Sequence, residues 1–198
     1  MKKLLLFIAI LNVSGLLTAQ EFNGGVLAGF DLASERETWP NAPGFYAGIF
    51  TNRYFSEHSS FQIELDYIQK GNRNRIDINE ADDYRLRMHY LELQLLYHYD
   101  IQRITLEIGP SLGWLMAYHE ELNDNDIPED EPFEPIDVSI GIGMYYRINE
   151  NLQCMLRYSN SIIPVREGET ISIWPFFLGD FNEVINFSLY WTFLHFEK

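Results

Sequence analysis

His119, Ser159 and Ser161 are the residues of this chain that come nearest to a nucleophile and its base. The histidine closes one alternating segment and the serines close another, so neighbouring strands could carry them to one rim. A lipid-modifying hydrolase would also need an acidic orienter and an oxyanion pocket. No pattern here fixes either, and no catalytic residue is assigned. His58, His89, His98 and His195 are scattered, without the ligand spacing of a zinc site. The acidic run "HEELNDNDIPEDEPFEP" offers Glu120, Glu121, Asp124, Asp126, Glu129, Asp130, Glu131 and Glu134, oxygen ligands of the kind Ca²⁺ takes. It lacks the turn glycine and the spaced final glutamate of a Ca²⁺ loop. A solvated loop beside anionic lipid is the expectation, with at most weak divalent bridging to headgroups; no metal and no cofactor are assigned.

The remaining paired carboxylates, Glu64 and Asp66, sit in "FQIELDYIQKG", which alternates almost without a break. Such a stretch is a strand with two unlike faces. Eight segments of this kind follow one another, at 22–32, 43–54, 60–70, 84–99, 103–118, 136–147, 151–163 and 182–196. Several reach ten residues, the length a tilted strand needs to cross a bilayer (about 9–11) rather than the roughly 5–6 of soluble domains. Short links follow the second, fourth and sixth segments. Long polar ones, including "GNRNRIDINEADD" and "PVREGETISIWPFFLGD", follow the others. Short turns on one side and long loops on the other belong to barrels of the outer membrane, with the long loops outside the cell.

Export fits that picture. "MKKLLLFIAILNVSGLLTAQ" has a charged start, an apolar run and a small-residue end, the layout of a signal peptide cleaved after Ala19. The expected organisation is therefore a signal at 1–19 and one barrel domain at 20–198. The signal holds two of the 14 basic residues and none of the 29 acidic ones, leaving the rest near −17. Nucleic acid is excluded as a partner, because phosphate backbones call for a basic surface. Cys154 stands alone, so no disulfide can form within the chain.

The two faces differ in bulk. Ile104, Leu106, Ile108, Leu112 and Trp114 alternate with Thr105, Glu107, Gly109, Ser111 and Gly113, and the later segments repeat the contrast. An eight-stranded lumen is only just wide enough for side chains, so the small polar face turns inward and the bulky face meets lipid. On this phase Glu64, Asp66, Lys70, Glu92, Glu107, Asp137, Arg147 and Arg157 point inward as a charge-paired plug. An unpaired buried charge would be costly. Tyr67, Trp114, Tyr118 and Tyr158 mark the outer interface, and Tyr97, Tyr99, Tyr146, Trp191 and Phe193 the inner one.

The central stretches resemble the PorT-like outer-membrane β-barrel family. Glu64, Leu65, Tyr67 and Gly71 match its first strand element, Tyr90, Leu91 and Glu92 its second, and Gly109 with Pro110 its third. Gln94 stands where that family usually has proline. The resemblance implies an outer-membrane barrel and, through the founding member, a link to surface-protein secretion. Together these readings give an all-β, eight-stranded antiparallel up-and-down transmembrane barrel without enzymatic activity. Its expected partners are outer-membrane lipid and envelope or surface proteins met through the loops around Asp124 and Trp174. Two rivals stay open: a soluble periplasmic or secreted barrel holding a small apolar ligand, and a lipid-modifying barrel enzyme.

Overall fold

The structure, a computed structural model, describes residues 22–34, 42–75, 83–123, 125–126, 133–171 and 178–196. The expected signal peptide, Asp124 and Trp174 lie outside these residues. Eight long strands make the wall: β1 Phe22–Ser34, β2 Ala42–Ser56, β3 Ser59–Arg75, β4 Asp83–Ile101, β5 Ile104–Leu122, β6 Ile136–Arg147, β7 Leu152–Ser161 and β8 Glu183–Phe196. Each pairs antiparallel with its chain neighbour. β4 pairs with β5, and β1 with β8 from Phe22↔Phe196 to Ser34↔Glu183, so the sheet closes into a ring. Closure removes the free edges that would otherwise recruit other chains. Asn125–Asp126 adds a short pairing to the end of β5, and Arg166–Ile171 pairs with Leu178–Asp180 in a separate small hairpin.

The connections at one rim are tight: residues 57–58, 102–103 and 148–151. Gln102 takes a positive φ of 59°, as a two-residue hairpin link favours. Asn149 Oδ1 accepts from the backbone N–H groups of Asn151 and Leu152, both at 2.9 Å, which sets the third turn.

Alternation decides which way the wall faces. Leu65, Leu93, Leu112, Ile142, Leu156 and Phe187 are exposed on the outside, while Glu64, Asp66, Glu92, Glu107, Asp137 and Arg157 are buried within. This reverses what the soluble, apolar-ligand reading requires, because its apolar face would have to line the interior. Three register shifts interrupt the pattern, one of them at Phe55 between the Tyr54↔Ser60 and Ser56↔Ser59 pairs beside the tight β2–β3 turn. Phe193 is the extra residue between the Gly24↔Leu194 and Gly25↔Thr192 pairs, and Met116 between His89↔Ala117 and Tyr90↔Leu115. An extra residue moves every later side chain to the other face. Beyond Met116 the even positions of β5 therefore turn inward. Tyr118, expected at the outer interface, instead packs inside the mouth against Phe133, ring centroids 5.0 Å apart.

Candidate functional site: the barrel interior

Arg157 projects from β7 into the half of the barrel nearer the short turns and is 1% exposed. Its Nε donates to Glu107 Oε1 at 2.5 Å and its Nη2 to Glu107 Oε2 at 2.9 Å, a two-pronged pairing. On the other side Nη1 donates to Glu64 Oε2 at 2.9 Å, to Gln94 Oε1 at 2.8 Å and to the Tyr46 hydroxyl at 2.8 Å. Tyr145 and Tyr190 close the ring, with Nη2 3.1 Å from the Tyr145 hydroxyl and the Tyr190 hydroxyl donating to Glu64 Oε1 at 2.9 Å. One guanidinium thus ties β2, β3, β4, β5, β6 and β8 to β7 through side chains alone.

A second cluster fills the half nearer the long links. Lys70 from β3 donates to Asp137 Oδ2 at 2.7 Å, is paired with Glu92, and lies 4.9 Å from the centre of the Tyr90 ring. Asp137 also accepts from Ser161 Oγ at 2.7 Å, Asn182 Nδ2 at 2.9 Å and Ser139 Oγ at 3.2 Å. Asp66 lies between the clusters, where its Oδ2 accepts from Gln94 Nε2 at 2.9 Å and sits 3.1 Å from the Tyr46 hydroxyl. Gln94, in the position the PorT-like pattern gives to proline, therefore bridges three interior groups that a proline side chain could not.

Glycines make room for the acids. Asp31 faces Gly44 across the register, Asp66 faces Gly48, Glu107 faces Gly143, and Glu92 and Asp137 both flank Gly113. A Cβ built on Gly44, Gly48 or Gly143 would run into the carboxylate opposite. Glycine in a strand often marks such a close approach.

Seven of the eight charged residues expected inside are buried there. Arg147 is the exception: it lies at the short-turn rim, its side chain 38% exposed, with Nη2 3.6 Å from Asp100. It is the last residue of β6, where the inward direction opens into solvent. Tyr46, Tyr90, Gln94 and His98 were not among the expected site residues, although each stands in phase with a buried carboxylate on its own strand or the next. Of the interface aromatics, Trp114 is 69% exposed, and Tyr99, Tyr146, Tyr158, Trp191 and Phe193 are also exposed on the outer surface. Tyr67 and Tyr97 are half-buried there, hydrogen-bonded to His89 Nδ1 at 2.6 Å and Ser59 Oγ at 3.0 Å respectively. His119 is exposed and bound to Glu121 at 2.8 Å, whereas Ser161 is buried inside on Asp137, so the wall separates them.

Residues 19–167 match the family described as outer membrane protein beta-barrel domain. The chain belongs to this family. Among solved structures, Neisserial surface protein A is 15% identical, with a TM-score of 0.50 over 88% of this chain and 97% of its own. Ail, the attachment invasion locus protein of Yersinia pestis, in complex with the heparin analogue sucrose octasulfate, is 9% identical. Its TM-score is 0.48 over 89% of this chain and 100% of its own. At such identities the likeness to the Neisserial protein speaks for the fold alone. No curated protein matches in sequence. As an outer-membrane barrel domain, the chain has an outside suited to hydrocarbon and an inside filled by cross-strand ion pairs. Among the described residues no group of histidines, cysteines and carboxylates is arranged to hold a metal.

Proposed function

We propose that this chain is an exported, non-enzymatic barrel resident in the outer membrane, built to be a closed stave rather than a pore. The observation that carries the reading is Arg157, whose hydrogen bonds reach side chains from six other strands and leave the lumen crossed by paired charge. Eight strands enclose little more than their own side chains, which agrees with a closed interior. The apolar outer face and the family match support the location, and the sequence of residues 1–19 supports cleavage after Ala19. With the interior filled, contact with other molecules falls to the outer wall and the long links. Those around Asp124 and Trp174 are the surfaces for envelope or surface proteins. The resemblance to PorT-like barrels supports a place beside surface-protein secretion.

Cell fractionation with boiled and unboiled detergent gels tests the location, and single-channel recording in planar bilayers tests closure. Membrane association, altered migration after boiling and no steady conductance are expected. Recovery in the soluble fraction without detergent overturns the location; a stable ohmic pore overturns the closed interior.

A further inference from the structure

Among the described residues, the acidic chain carries a basic region on the outer wall, above the apolar band at the long-link rim. Lys70 turns into the lumen, but Arg85 and Arg87 of β4 fall on the outward face of that strand. Cross-strand rows show how they stack. Tyr67, Leu91 and Trp114 share one row; two rows further along the strands Gly71, Arg87 and His119 share another; next come Arg73, Arg85 and Glu121. Arg85 and Arg87 lie on one face of β4, about 7 Å apart at the rise of a strand. Arg87 and His119 are exposed and Arg85 is half-buried. Together with Pro43, Gln69 and Glu121, and with the buried Lys70, Asn72 and Leu86 at its floor, they line a cavity of about 350 Å³. The one carboxylate of the group, Glu121, is bound to His119 Nε2 at 2.8 Å.

We infer that this cavity is a binding site for the phosphate of an anionic lipid headgroup in the outer leaflet. Guanidinium forks match phosphate oxygens, and two arginines with an imidazole supply donors from two strands. The height is right for a lipid. Arg87 lies four residues beyond Leu91, about 10 Å above it once strand tilt is allowed for, at the level of the headgroups rather than the acyl chains. Below the cavity, past the His89–Tyr67 pair, the wall continues as Leu91, Leu93 and Leu95, all exposed. A ligand with a charged head and hydrocarbon tails would meet both surfaces at once, which a free anion or an acidic peptide would not. The site deepens the outer-membrane reading and rests on it.

The test uses the full-length mature barrel in phosphatidylcholine nanodiscs doped with bisphosphorylated lipid A or its dephosphorylated form, with retained lipid counted by native mass spectrometry. Retention of the phosphorylated form at least tenfold above the dephosphorylated form is expected. That preference should be lost in Arg85→Gln/Arg87→Gln and kept in Arg147→Gln. Equal retention of the two lipids by the wild type, or an unchanged preference in the double variant, overturns the site. Displacement of the lipid by millimolar inorganic phosphate overturns the lipid assignment in favour of a free-anion site. Heat-dependent gel migration is read on every sample. A wild type that shows no shift on boiling speaks against the outer-membrane barrel itself; a normal shift with no lipid preference speaks against the headgroup site alone.

Discussion

Arg157 and Lys70 are both buried cations held against two carboxylates, yet their surroundings differ in kind. Arg157 is bracketed by Glu64 and Glu107, each with a fully buried side chain; Glu64 also accepts from Gln62 and the Tyr46 and Tyr190 hydroxyls, whereas Glu107 has, besides the guanidinium, His98 Nε2 at 3.4 Å. Lys70 shares Asp137 with Ser139, Ser161 and Asn182, so that carboxylate would keep three donors in its absence, while the buried Glu92 would lose its cation. The planar five-donor guanidinium suits the first position because it can fork toward two sides. A compact ammonium suits the second, where it meets two oxygens and an aromatic face. Interior charge in this barrel is therefore of two sorts, one organised around a cation that reaches six other strands and one completed by a cation that reaches two, β4 and β6.

The sharpest way to break this distinction is Arg157→Met. Two buried carboxylates would lose their counter-charge, a situation that typically costs about 3–5 kcal/mol. Urea unfolding of the refolded barrel, followed by its heat-dependent gel shift, should show a loss of that size or a failure to refold. Arg157→Lys should recover little of it, because an ammonium cannot span Glu64 and Glu107 together. A lysine variant that unfolds at the wild-type midpoint would show that charge alone matters there and the fork does not.

Lys70→Met tests the other half. With Asp137 still accepting three neutral hydrogen bonds but Glu92 left without its cation, the expected loss is about 3 kcal/mol, the lower end for a broken buried pair. The same unfolding assay reads it. A loss equal to that of Arg157→Met would erase the difference between the clusters.

The wall of this barrel was legible in the sequence because lipid on one side and a narrow lumen on the other enforce period-2 alternation through every strand. Ile140, Ile142 and Met144 against Ser139, Gly141 and Gly143 could hardly be phased otherwise. The inward carboxylates followed from the same phase. What alternation could not supply was pairing between strands. That Glu107 faces Gly143, or that Tyr46 hangs over both Glu64 and Asp66, depends on register, which is set by turn length and by the bulges. Tyr118 shows the limit most plainly: one extra residue at Met116 carried it from the expected outer interface into the mouth. The interior tyrosines were obscured by their own amphipathicity. A ring with a hydroxyl serves equally at a membrane interface or as a hydrogen-bonding filler of a lumen, and only its phase distinguishes the two.

Arg147 marks where the interior ends. Its sequence phase groups it with Arg157 and Lys70, but at the end of β6 it reaches only the partly exposed Asp100, which also accepts from the Tyr54 hydroxyl at 3.2 Å and from Thr105. Removing it leaves no buried acid unpaired. Exposed ion pairs are worth about 0–1 kcal/mol, and salt screens them. Arg147→Gln should therefore move the unfolding midpoint little, and less still in high salt. A larger, salt-insensitive loss would mean that Arg147 draws on the buried network after all. The boundary between the charged interior and the solvated rim would then lie beyond the short turns.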